Sequence, residues 1–129
     1  MSVLIGDLLR LLRARPLVHS VRVINYDETP QGNLELKMRC RLAQEYQLQV
    51  WIHSEPQLLD YAYQFFVACP ILRWDNAPHY PQIDSAPHHF HDEREQVTPW
   101  PLSGDPLLDL QLILAYITDW FDIRRTKRD

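Results

Sequence analysis

The chain has 129 residues, 46% of them apolar and 23% charged, with a net charge of −4. That length suits one domain able to bury a core without disulfides or a structural metal. No apolar run approaches the ~20 residues of a membrane span, and a start carrying Asp7 and Arg10 is not expected to be a signal peptide.

In chain order, Val3 to Arg13 places Leu4, Leu8, Leu11 and Leu12 at helical spacing, with Arg10 and Arg13 on the other side and Pro16 as a stop. Val18 to Tyr26 is β-branched and bounded by the turn cluster Asp27 to Gly32, which predicts a strand. Leu34, Leu36, Met38, Cys40 and Leu42 then alternate with Asn33, Glu35, Lys37, Arg39 and Arg41, the signature of a strand with one buried and one wet face. Tyr46, Leu48, Val50 and Ile52 repeat the pattern after Ala43-Gln44-Glu45, so a hairpin is expected. Leu59, Tyr61, Tyr63, Phe65 and Val67 predict a fourth strand, and Ile71 to Trp74 a short fifth.

Asp75 to Gly104 shows no periodicity and is expected to be a long loop. The chain closes on a helix with Asp105 at its N-cap, Pro106 at its first position and an apolar stripe of Leu110, Ile113, Leu114, Ile117, Trp120 and Phe121. Short connections demand antiparallel neighbours. The expectation is therefore an α+β domain: a meander of about five strands, both terminal helices on one face, and a long His/Pro-rich loop at an edge or end. Residues 1–122 are read as that domain and 123–129 as a basic C-terminal tail.

Charge is unevenly placed. Residues 1–54 carry +2, residues 55–122 carry −9 and residues 123–129 carry +3. The acidic stretch would attract a divalent cation and repel phosphates, while Lys37, Arg39 and Arg41 form a basic row on a strand's polar side. That row is a wet sheet face, a phosphate track or a place for an acidic partner. Cys40 and Cys69 lack CxxC spacing and are read as reduced core thiols of a cytoplasmic protein. Three glycines leave no phosphate-cradling loop.

The densest chemistry lies between Arg73 and His91, which holds four of the six histidines and three of the ten prolines. Proline stiffens such a segment by fixing its own φ and restricting the residue before it. The order of its residues, and of the elements around them, resembles the TumE family of toxin–antitoxin toxins. The carriers are Tyr61-Ala62-Tyr63-Gln64-Phe65, Arg73-Trp74-Asp75-Asn76-Ala77-Pro78-His79 and Pro87-His88-His89-Phe90-His91. Trp74 stands where a tyrosine is common in that family, and Phe90 where a lysine is usual. The resemblance implies a small cytoplasmic growth inhibitor paired with an antitoxin protein.

Three readings of the histidines stay open. His89 and His91 at i and i+2 point the same way on an extended chain and, with His79, Asp75 or Asp84, could hold zinc or manganese. Alternatively the segment is a metal-free ribonuclease site acting on RNA. Arg73 then clamps phosphate, Asp75 orients an imidazole, and His79, His88, His89 and His91 supply acid and base. In the third reading Trp74 and Phe90 pin a structural loop, Asp75-Asn76 caps a turn, and the protein is a non-enzymatic or metal-stapled binding module. His19 and His53 are expected to be surface or satisfied core groups. A homodimer is left open, and no membrane partner is expected.

Overall fold

Strict alternation along the central strands produces a sheet whose two faces differ in kind. The computed structural model describes residues 3–128. Helix α1 spans Val3–Arg13, and the strands are β1 (Ser20–Glu28), β2 (Leu34–Arg41), β3 (Gln47–Glu55), β4 (Leu58–Phe66), β5 (Pro70–Asp75), β6 (His89–His91) and β7 (Val97–Thr98). Helix α2 closes the chain over Pro106–Arg128. The strands stand side by side in sequence order, every pair antiparallel. The expected α+β meander is therefore what forms.

The inner residues Leu36, Met38, Cys40, Leu48, Val50, Ile52, Tyr61, Tyr63, Phe65, Leu72 and Trp74 are buried in one cluster with Ile5, Leu8 and Leu12 of α1. Leu110, Ile113, Leu114, Ile117 and Trp120 of α2 complete it. Both helices therefore cover the same face. The opposite face carries the polar alternates, and among the described residues no helix packs on it.

The count of strands corrects the expectation of about five. β6 and β7 lie inside the stretch read as loop, and they have three and two residues. Strands that short carry no readable period; they form because β5 offers an edge to pair with. A tight turn joins them, with the Asp92 carboxylate accepting from the Arg94 and Gln96 amides at 2.9 Å each. Residues 76–88 remain irregular. A second correction concerns Cys69, which is exposed in the turn between β4 and β5, whereas Cys40 is buried as expected.

Local chemistry explains the ends of the elements. Gly32 adopts a φ of +92° where the Thr29–Asn33 turn closes, and a left-handed position favours glycine. Asp105 caps α2 by accepting from the Leu107 amide at 3.0 Å. The buried Asp109 accepts from the Ser103 amide and hydroxyl and from the Gly104 amide at 2.8–2.9 Å, fastening the incoming chain to the first turn of α2. Residues 123–128, read as a tail, continue α2; Arg124 lies 3.6 Å over the Trp120 ring and pairs with Glu93. No helix among the described residues is long and apolar enough to cross a membrane.

Candidate functional site

Pleating decides which groups meet. On β5 and β6 the registers are Arg73 opposite His91, Trp74 opposite Phe90 and Asp75 opposite His89. Trp74 and Phe90 therefore face the helices and stack at 5.0 Å, beside Trp100 and Tyr116. Arg73, Asp75, His89 and His91 face the open side, above this rigid aromatic base.

The Asp75 carboxylate is the hub. Its Oδ2 accepts from Arg73 Nε at 2.8 Å and lies 3.5 Å from His91 Nε2, while its Oδ1 lies 2.9 Å from His89 Nε2. Oδ1 also accepts from the Ala77 amide at 2.9 Å, the Asx turn expected there. Gln64, next to Arg73 on β4, accepts from the guanidinium Nη1 at 3.0 Å. Asn76 fastens the chain leaving the site by accepting from the Tyr61 amide and donating to the Leu59 carbonyl.

Burial grades the four residues. The side chains of His89 and Asp75 are only 2% and 7% exposed, against 29% for His91 and 43% for Arg73. Tyr80 packs its ring 4.8 Å from His89 and 5.9 Å from His91. An incoming molecule thus meets Arg73 and His91, with Asp75 and His89 behind them.

The ring of His89 is oriented from both ends. Nδ1 faces the Pro87 carbonyl at 3.0 Å, an acceptor only, so Nδ1 carries its hydrogen. Nε2 faces Asp75. A ring that donates at both ends is the imidazolium; one that donates only at Nδ1 presents the Nε2 lone pair. Partial burial holds the His91 imidazole below the usual histidine range, with His89 and Arg73 adding to this and Asp75 opposing it. That lowering favours the neutral imidazole of His91 over the charged one.

A metal ion has a possible seat: one donor atom from each of Asp75, His89 and His91 falls within 4.8 Å of the others. Three protein ligands leave room for water, as in catalytic zinc sites. Against this, the only carboxylate of the three already carries the Arg73 guanidinium, which a dication would face at close range.

The other histidines fall elsewhere. His79 and Asp84 are exposed and outside the cluster. His88 turns inward, hydrogen-bonded to the Tyr61 hydroxyl through Nδ1 and stacked on that ring at 5.8 Å. His53 is on the open face in contact with Glu35 at 2.5 Å, and His19 is an exposed residue preceding β1. Burial drives the Cys40 thiol up to about 12, which removes it as a nucleophile. Sequence reasoning missed Tyr80, Gln64 and the Pro87 carbonyl. Only Tyr80 left a signal, as a lone aromatic between His79 and Pro81.

An open antiparallel sheet with two helices on one face, and an Arg–Asp–His–His cluster on the other, defines a small α+β protein with a polar site on β5 and β6. A comparison with protein families matches toxin TumE over residues 8–121, and the chain belongs to that family. No curated protein and no solved structure matches it. Membership supports a toxin component of a toxin–antitoxin system, with an antitoxin as its partner. Phe90 faces the core, so it packs there and does not approach the site.

Proposed function

We propose that this toxin is an endoribonuclease whose reacting groups are Arg73 and His91, positioned by Asp75 and His89. The observation that carries the reading is the Asp75 carboxylate shared by one guanidinium and two imidazoles. Neutral His91 takes the proton of a ribose 2′-hydroxyl as the 2′-oxygen bonds to phosphorus. Arg73, fixed by Gln64 and Asp75, offers its remaining N–H groups to the phosphorane charge. The bond from phosphorus to the 5′-oxygen breaks, that oxygen takes a proton from solvent, and a 2′,3′-cyclic phosphate remains. His79 and His88 lie outside this mechanism.

The first experiment is cleavage of total RNA by the purified protein, by His91→Ala and by Asp75→Asn, each with and without EDTA. Loss of a general base is expected to slow cleavage about 10²- to 10⁴-fold. Wild-type protein that leaves RNA intact, with or without added zinc or manganese, ends the ribonuclease reading. A divalent ion held by Asp75, His89 and His91 is the second reading, favoured by the Nδ1–H of His89 on a carbonyl, which aims Nε2 at the cluster. Cleavage abolished by EDTA and restored by zinc or manganese selects it.

A further inference from the structure

The open face is ordered across the strands as well as along them. Cross-strand partners share a face, and one continuous row reads Arg22, Arg39, Gln49, Gln64, Arg73, His91 from β1 to β6. The flanking row reads Asn25, Lys37, Trp51, Ala62, Asp75, His89, and Arg41 lies on the other side. These rows gather five cations, Arg22, Lys37, Arg39, Arg41 and Arg73, against two carboxylates, Asp75 beside Arg73 and, just past the end of β2, Glu45 at 3.7 Å from Arg41. The strand acids of the face, Asp27, Glu35, Glu55 and Asp60, sit further on, around His53. A chain of net charge −4 therefore presents a positive band that ends in its site.

Two details give the band a shape. Arg39 Nε donates to Gln49 and Arg73 Nη1 donates to Gln64, each at 3.0 Å. These cross-strand pairs lay both guanidiniums along the row. No hydrogen bond engages either Nη group of Arg39 or Nη2 of Arg73 among the described residues. In the flanking row the half-buried Trp51, its Nε1–H held by Glu35 at 2.9 Å and its ring stacked with His53 at 6.3 Å, stands opposite the small Ala62, which separates the indole from Asp75.

We infer that this band is the binding track for single-stranded RNA, with Arg22 and Arg39 on phosphates, Trp51 under an unpaired base and the scissile phosphate at Arg73. This rests on the ribonuclease reading and names the form of its substrate. Cations spaced along a row match a phosphodiester chain, and an aromatic platform takes any base, but only from an unpaired strand. From β1 to β6 the row spans about 24 Å at ~4.8 Å per strand. That length is on the order of the four nucleotides that the smallest single-strand sites hold.

The test is fluorescence anisotropy of a labelled 12-nucleotide single-stranded RNA in EDTA, with wild type and with His91→Ala to prevent turnover. An RNA hairpin and poly-glutamate serve as competitors. Arg22→Gln/Arg39→Gln is expected to weaken binding and to reduce the magnitude of the salt slope by about 1.4, two phosphate contacts at ~0.7 each. Trp51→Leu is expected to weaken it on the order of tenfold or more, the contribution of one stacked base. Circular dichroism of each variant confirms that it is folded. Binding with these losses in a protein that cleaves nothing keeps the track and removes the nuclease. Cleavage that depends on His91 but is indifferent to Arg22, Arg39 and Trp51 keeps the nuclease and overturns the track. Absence of RNA binding, preference for the hairpin, or displacement by poly-glutamate at lower concentration than RNA also overturns it.

Discussion

Asp75 illustrates how one side chain can hold a site and strain stability at once. A nearly buried carboxylate is tolerable only because Arg73, two imidazoles and an amide surround it. Asp75→Ala leaves Arg73 and His89 without their shared partner, and we expect a loss of about 2–3 kcal/mol in chemical denaturation. His91→Ala removes a partly exposed ring at a longer contact, so its melting temperature should stay within a few degrees of wild type. Equal losses for the two would mean that His91 is structural. A second pair on the same face predicts a pH dependence. The His53 hydrogen bond holds Glu35 below its ordinary 4.5, Trp51 adding to it, and the Glu35 hydrogen bond holds His53 above its ordinary 6.5, with Glu55 adding to it. The raised group stabilises fully below 6.5 and loses its effect as pH rises through its folded value; the lowered group stabilises fully above 4.5 and loses its effect as pH falls. The melting-temperature difference between wild type and His53→Gln should therefore be widest between pH 4.5 and 6.5 and close on both sides. A difference independent of pH would show that the pair contributes no linkage.

At the scale of elements, the entry to α2 matters most. Asp109 takes three hydrogen bonds from Ser103 and Gly104. Removing it orphans those donors at a buried helix start. We expect Asp109→Ala to cost about 3 kcal/mol, a fall in melting temperature on the order of 10 °C; a change under a degree would mean solvent replaces the carboxylate. The same elements show what patterning can reveal. β2, β3 and β4 were legible because each has at least eight residues with apolar side chains at every second position on the inner side, and in β2 the alternation with polar residues is strict. α2 was legible from its cap and stripe. β6 was not: His89-Phe90-His91 is extended only because its backbone completes the ladder of β5. The i, i+2 relation of the two histidines could be read in advance, yet the carboxylate they would meet could not.

For the whole molecule, one cluster of buried residues runs from α1 through β2–β6 to α2, which leaves no seam along which the chain could open in parts. We expect one cooperative unfolding transition, with tryptophan fluorescence and far-ultraviolet dichroism superimposing; the four tryptophans at 51, 74, 100 and 120 sample both faces and α2. Separate transitions would divide the chain into units that the shared core does not suggest. Charge follows the same global logic. The basic row of β2 conveyed little alone, because any wet strand carries such residues. Its significance lies in alignment with Arg22 on the preceding strand and with Arg73, which sits on a strand far along the chain.

The sequence by itself determined the α+β class, the order of the long elements, the inner faces of β2, β3 and β4 and the cap of the last helix. All of these depend on residues a few positions apart, where periodicity and propensity act. Tertiary structure alone decided that Asp75 lies opposite His89 across thirteen intervening positions of chain, that Gln64 steadies Arg73, and that His79 and His88 are left out. Those pairings follow from backbone register between strands. Register is set by how the whole buried face packs, and no local pattern encodes it.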